Sequence, residues 1–330
     1  MNHWHPRDIK ALAALRERFL AGTAGDADYW RSEEELALYD DTFGARIGWK
    51  IDAVLRGLQA IGWRPRSRRI LDWGCGSGIA ARRVLAKWSG FEEVAVHDRS
   101  PLAMTYARRR IRAEYPQLPV EASESVDRGT LLVISHALNE LAPNAVEALL
   151  TAAAAAGEVI WVEAGTHPDS RRLIEMRQRI LMTPEPPRVV APCTHSLRCG
   201  LLTPDNARHW CHFFADPPQQ VFNSARWDEW SRALGIDRRS LPYSYLVLSR
   251  HEVPALDGFA RIIGVPREAK ACCHILSCER AGVQERMLQK RDAPGLYRMV
   301  LKEREFPPLR WQLDGAKIVA GEVAAGTHPA

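Results

Sequence analysis

Between residues 68 and 163, apolar runs of strand length alternate with amphipathic runs of helix length, and this alternation constrains the fold more than any other feature. RRILDWG reads as a strand and IAARRVLAKW as the helix after it. EEVAVHD is a second strand, followed by the helix PLAMTYARRRIRAEY with Pro101 near its start. TLLVISHALNEL runs from strand into loop, NAVEALLTAAAAAG is a helix ended by Gly157, and EVIWVEAG is the next strand. Strands separated by helices cannot pair as tight hairpins. They lie parallel, and near-continuous apolar character fits burial on both faces. The expectation is an α/β protein with a Rossmann-like sheet.

The first strand leads into ILDWGCGSGIA, with Gly74, Gly76 and Gly78 at every second position. Read from Gly74, the dinucleotide pattern G-x-G-x-x-G fails at Ile79. Read from Gly76, it passes in a weaker form with Ala81 in the last place, so the glycines alone do not exclude NAD. Asp72 shifts the balance. D-x-G-x-G-x-G resembles the first motif of class I methyltransferases that use S-adenosylmethionine (SAM). The glycines would let backbone amides approach the methionine part of the ligand, and Asp72 could organise the loop. Asp98, at the end of the second strand, would accept from ribose hydroxyls. In ISHALNELAP, Asn139 and Glu140 would lie near the sulfonium or the adenine; a helix-start turn is the alternative reading. Glu163 and His167 could line the acceptor side, and Cys75 reads as a small loop residue. The motif N/D-P-P-Y/F, which grips an amino group for methylation, is absent.

Residues 1–65 read as a helical cap. IKALAALRERFLAG has helical spacing, Asp26 or Asp28 could start a second helix, and ARIGWKIDAVLRGLQAIG forms a third that ends at Gly62. The methyltransferase-like domain is expected over 66–250, with a Cys-rich loop at 184–220. A small β-rich module over 251–330 would use ARIIGVP, ACCHILSC, VQERMLQK and LYRMVLKE as short strands. No membrane-length apolar run and no signal-peptide layout is visible, so a cytoplasmic protein without a membrane partner is expected. The net charge is +5, and residues 226–330 carry 17 Lys/Arg against 13 Asp/Glu. A mildly basic end fits a polyanion such as RNA; no DNA partner is expected.

Six of the seven cysteines fall between 193 and 278. Cys193, Cys199 and Cys211 lie in a Pro-, Cys- and His-rich stretch with little apolar period, separated by five and eleven residues. That is wider than the C-x(2–4)-C pairs of structural zinc sites. Three thiolates joined by a distant fourth suit an iron–sulfur cluster better. Cys278 is the leading fourth ligand, with Cys272 and Cys273 as rivals. A mixed zinc site using His195, His209, His212 or His274 is the alternative.

Taken together, ILDWGCGSGIA, HDRSP, LNELAP, VEAGTHP, APCTHSLRC…HWCHFF and KRD…LYR resemble the methyltransferase-like family of small-ribosomal-subunit assembly proteins, known from mitochondria and with bacterial relatives. The resemblance runs over roughly residues 35–305. It implies a class I methyltransferase fold and association with the small ribosomal subunit or its rRNA. It also implies a 4Fe-4S cluster on Cys193, Cys199, Cys211 and Cys278. The expected function is SAM-dependent rRNA methylation, or ribosome assembly in which the same fold serves as an RNA-binding scaffold. Small-molecule methylation ranks third, since it would not need the basic C-terminal module.

Overall fold

The structure is a computed structural model that describes residues 3–20 and 30–324. The helix start expected at Asp26 or Asp28 lies outside the described residues. Helices α1 (Pro6–Leu20), α2 (Glu33–Tyr39) and α3 (Ala45–Ala60) precede β1 (Arg69–Trp73), α4 (Ile79–Lys87), β2 (Glu93–His97), α5 (Pro101–Glu114), β3 (Val120–Ala122), β4 (Thr130–Ser135) and α6 (Pro143–Ala155). Then come β5 (Glu158–Ala164), α7 (His167–Leu181), β6 (Arg188–Ala191), β7 (Phe213–Phe214), α8 (Ala225–Leu234) and β8 (Pro242–Ser249). The chain ends with β9 (Arg261–Ala269), β10 (Cys272–Glu279), β11 (Gly282–Gln289), α9 (Pro294–Lys302), β12 (Leu309–Asp314) and β13 (Lys317–Val323). It divides into two compact units, Met1–Asp52 with Ser67–Gly157 and Ala215–Leu241, and Ala53–Arg66 with Glu158–Phe214 and Pro242–Ala330.

In the first unit the strand order is β3-β2-β1-β4, all parallel. Ile70 lies beside Val94 and Leu131, and Leu71 beside Ala95 and Leu132, every one of them fully buried. Burial on both faces explains why β1, β2 and β4 read as unbroken apolar runs; the edge strand β3, exposed at Glu121 and Ala122, carries no such run. Helix α4 packs on β1 and β4, and α5 on β2 and β3. Ser100 caps α5 by accepting the Ala103 N–H at 3.2 Å, and Pro101 takes the first helical turn, where its missing N–H costs nothing.

The helical cap wraps this core through α1. Leu15 packs with Trp30, Leu36 and Tyr106, and Leu12 with Trp4, Trp230 and Leu234. The short α2 was not legible as a separate element. Ser32 caps it, and a π-turn over Asp40–Gly44 carries the chain directly into α3.

In the second unit β8 pairs antiparallel with both β5 and β6, and β7 adds to the end of β8. A separate five-stranded sheet has the order β12-β13-β11-β10-β9. LYRMVLKE, expected as a strand, is helix α9. Tyr297 and Val300 are three residues apart and both enter the core formed by Ile275, Leu288, Leu309 and Ile318. That spacing places them on one helical face, whereas a strand would turn them to opposite faces. The Cys-rich stretch also buries more than its sequence suggests. Val189, Val190, Leu201 and Phe213 are all buried, and their irregular spacing hid this. Among the described residues no helix is long and apolar enough to cross a membrane.

Candidate functional site

Three successive reversals of the backbone shape the loop after β1. Gly74, Gly76 and Gly78 all hold positive φ, at 70°, 50° and 75°, where a Cβ is penalised. The Gly74 and Cys75 amides both donate to the His97 carbonyl at 2.7 and 3.0 Å, which ties the loop to the end of β2. The glycines differ in what surrounds them. A Cβ at Gly78 would sit 3.0 Å from the Ala107 Cβ and 3.2 Å from its Cα, so this glycine allows α4 and α5 to approach. A Cβ at Gly76 would meet nothing within 4 Å. There the backbone faces open space, as a ligand cradle requires.

Asp72 lies beneath the loop, 1% exposed, and accepts the Ala81 N–H at 3.1 Å. Gly78 begins α4 with no side chain to cap it, and Asp72 supplies that cap from the neighbouring strand. Burial raises its carboxyl to about 7; the Ala81 hydrogen bond opposes that rise, and the nearby Asp98 adds to it. Asp98 is half-buried at the carboxyl end of β2. One oxygen accepts the Gly76 N–H at 2.9 Å and the other the Ser100 N–H at 2.9 Å. Burial again raises this carboxyl, and the two amides hold it back. The expected pair thus comes together around one loop, Asp72 below it and Asp98 beside it.

Glu140 sits on a single 3-10 turn after β4 and ion-pairs with Arg99 at 3.6 Å, next in sequence to Asp98. Asn139 is on the same turn and exposed. Glu163 is buried within β5, where it accepts the Trp161 indole N–H at 2.8 Å. His167 Nε2 is 2.9 Å from the Ala207 carbonyl. Both belong to the second unit and are engaged there.

Sequence reasoning passed over three groups near the loop. His136 follows β4 in left-handed backbone at φ 54°, a cost a non-glycine residue bears only when its surroundings hold it there. Its Nε2 is 3.1 Å from Lys50 Nζ and its Nδ1 is 3.2 Å from Ser135 Oγ. Burial, and then Lys50, hold it well below the usual imidazole range, so it is neutral. An ammonium can only donate, which assigns the proton to Nδ1. Tyr39 has its phenol pushed up by burial and then by Glu140, Asp40, Asp98 and Asp72. Asp40, on the π-turn, accepts from Ser77 at 2.7 Å and pairs with Arg110 at 3.1 Å and with Arg82. It anchors the helical cap to the glycine loop. The only sequence signal for these was the polar residue His136 directly after an apolar strand.

Cys193, Cys199, Cys211 and Cys278 all lie in the second unit. The Cys211 thiol is pushed well up by burial and then by Cys193, Cys278 and Cys199 around it. Cys199 is pushed up to about 11 by burial, then by Cys193. Cys278, on β10, is raised by burial, then by Cys193 and Cys199. Of its two rivals, Cys273 is in the hydrophobic core with Ile275 and Leu288, and Cys272 is its neighbour on β10, six residues before Cys278. The histidine rings are engaged elsewhere. His195 faces the Glu279 carbonyl at 3.1 Å, His209 accepts from Arg208, His212 stacks on Trp210 at 4.4 Å, and His274 pairs with Glu285. Among the described residues no group of three or more His, Cys, Asp or Glu side chains converges closely enough to hold a single metal ion. Helix α7 braces the segment. Arg171 donates to the carbonyls of Leu201, Asn206 and His209, and Ser170 to that of Cys211.

A family model described as mitochondrial small ribosomal subunit Rsm22 matches residues 46–304, well over half of the chain. A comparison with curated protein sequences returned no match. Among solved structures, an O-methyltransferase family protein from Burkholderia thailandensis is similar at 15% identity and a TM-score of 0.39, covering 74% of this chain and 70% of that one. Magnesium protoporphyrin IX methyltransferase from Synechocystis PCC 6803, solved with SAM bound, is similar at 12% identity and a TM-score of 0.36, covering 56% of this chain and 91% of that one.

Proposed function

The chain belongs to the family described as mitochondrial small ribosomal subunit Rsm22, and from that membership we propose a SAM-binding, methyltransferase-like protein that acts on or binds the small ribosomal subunit and its rRNA. The observation that carries the cofactor part is the open backbone at Gly76, with Asp98 2.9 Å from its amide and Asp72 buried beneath. When bound, SAM supplies an electrophilic methyl group. The backbone of Gly74, Gly76 and Gly78 would line its methionine part, and Asp98 retains lone pairs for ribose hydroxyls. Asn139 and Glu140 would face the sulfonium or the adenine. The chain's own contribution is to align the acceptor with the methyl group and to exclude water, so positioning dominates the rate.

Cys193, Cys199, Cys211 and Cys278 would hold a 4Fe-4S cluster rather than zinc. Their mutual electrostatic influence supports a common site. Such a cluster would staple the Cys-rich segment to β10.

A second reading keeps the fold as a non-catalytic assembly scaffold. The observation in its favour is that each Asp98 oxygen already accepts one backbone amide, so Asp98 has a structural task in tying the loop whether or not a ligand binds. Titration calorimetry with SAM separates the two. Binding together with labelled methyl transfer to immature small subunits supports the enzyme. No heat at millimolar SAM overturns it and leaves the scaffold. Failure to co-sediment with small subunits at low salt overturns both.

A further inference from the structure

The last five strands follow one connectivity. Strands β9, β10 and β11 form an antiparallel meander, α9 crosses over, and β12–β13 is a hairpin whose second strand runs parallel to β11. Ala260, just before β9, exchanges both backbone hydrogen bonds with Leu309 at the start of β12, at 2.7 and 3.0 Å. That contact joins the first strand to the fourth and brings the sheet towards closure. Five strands in the order 1-2-3-5-4 with this closure form the partly open Greek-key barrel of the OB-fold. Barrels of this kind bind oligonucleotides or oligosaccharides on the face of their second and third strands, beside the loops that follow the first and fourth. In this chain those strands are β10 and β11.

Alternation decides what β10 and β11 present. Cys273 and Ile275 point into the core with Leu288. The opposite face carries Cys272, His274, Leu276 and Cys278. Its two ends differ. Towards Cys278 it is covered by the Cys-rich segment, where Gly200 packs on Gly282 and His212 on Gly264. At the other end the register lays Arg267, His274, Met287 and Lys317 side by side across β9, β10, β11 and β13. Lys270 in the β9–β10 turn and Lys290 after β11 are exposed beside this row, and the Lys290 N–H donates to the Ala271 carbonyl at 3.0 Å. Two acids lie within the row's reach: Glu285, which pairs with Arg267 at 2.9 Å and His274 at 3.1 Å, and the exposed Asp314, which stands opposite Lys317 in the β12–β13 register.

We propose that this row of Arg267, His274 and Lys317, flanked by Lys270 and Lys290, is a binding site for single-stranded RNA. Basic side chains spaced across a barrel face match the repeating phosphates of a strand, whereas a sugar chain offers no such charge. The row has no Trp, Tyr or Phe, so contact runs through the phosphates with little choice among bases. The proposal deepens the ribosomal reading by giving it a contact surface, and it rests on that reading only for the source of the RNA.

The test uses the full chain and a fluorescein-labelled single-stranded RNA of about 12 nucleotides, a length within the site sizes of such barrels. Removing four charges (Arg267→Gln, Lys270→Gln, Lys290→Gln and Lys317→Gln) should weaken binding at least tenfold in fluorescence anisotropy. It should also flatten the dependence of log affinity on log salt by up to roughly 3. A control that removes four charges from the first unit, at Arg68, Arg109, Arg128 and Arg232, should change affinity less than twofold. Glu285→Gln frees Arg267 and His274 and should tighten binding two- to fourfold. Equal losses in variant and control, or tighter binding of a duplex of the same length, would overturn the proposal. If the fourfold variant melts early, Glu285→Gln decides alone, and unchanged or weaker binding overturns the site. Co-sedimentation keeps the two readings distinct. A variant that pellets with small subunits and binds RNA as wild type removes the site and leaves the ribosomal reading. Wild type that binds the oligonucleotide but no small subunit removes the ribosomal reading and leaves the site.

Discussion

Gly76 and Gly78 are two residues apart, both at positive φ, and serve different ends. Gly76→Ala adds a methyl group in open space, so only the backbone term applies, about 1–2 kcal/mol. SAM affinity should still fall at least tenfold, because the methyl group occupies the cradle. Gly78→Ala meets the Ala107 backbone and should cost more stability, roughly 2–4 kcal/mol. Melting curves and SAM calorimetry on the two variants check both statements. Asp72 makes stability depend on pH. Its folded pKa, about 7, lies above its unfolded value, so its contribution is fully present below pH 4 and is lost as pH rises through 7. Asp72→Asn should therefore melt above wild type at pH 8, by up to roughly 4 kcal/mol, with the gap narrowing as pH falls. SAM affinity of the wild type should rise from pH 6 to pH 8, because a bound cation favours the ionised carboxylate.

At the scale of elements, α9 is the informative case. Tyr297 and Val300 are buried and Arg298 is exposed, an arrangement only a helix gives. Tyr297→Ala should destabilise the unit by about 2–4 kcal/mol, and Arg298→Ala by less than about 0.5, read from denaturant melts. Apart from the three-residue β3, buried only at Val120, the alternating strands and helices of residues 68–163 were legible because each strand is buried on both faces and each helix on one. Strands β6 and β7 were not. Four and two residues long, they are held by pairing with β8, and a window that short carries no period. The same holds for α2, whose seven residues run into the π-turn that brings Asp40 to Ser77.

At the scale of the molecule, the cysteine segment is the point where composition, packing and proposed chemistry meet. Protein prepared without oxygen should be brown and hold about four irons with matching sulfide. Cys199→Ser and Cys278→Ser should both lose the iron and lower the melting temperature of the second unit, while Cys272→Ser keeps it. Elemental analysis with absorbance near 400 nm reads this directly, and a colourless protein with stoichiometric zinc would show the assignment wrong.

The sequence by itself determined the parallel sheet, the glycine loop with Asp72 and Asp98, and the three cysteines of the Pro-rich stretch. These are local signals, set by periodicity or by close spacing along the chain. Tertiary structure alone decided that Asp72 caps α4, that burial, and then Lys50 eighty-six residues away in sequence, hold His136 well below the usual imidazole range, and that Cys273 enters the hydrophobic core. It also decided that Ala260 bridges to Leu309 across the ends of the five-stranded sheet, and that Arg267, His274, Met287 and Lys317 fall in one register. Each of these depends on which residues from distant parts of the chain share a strand register or a buried volume, and register and burial are properties of the packed chain that no local pattern records.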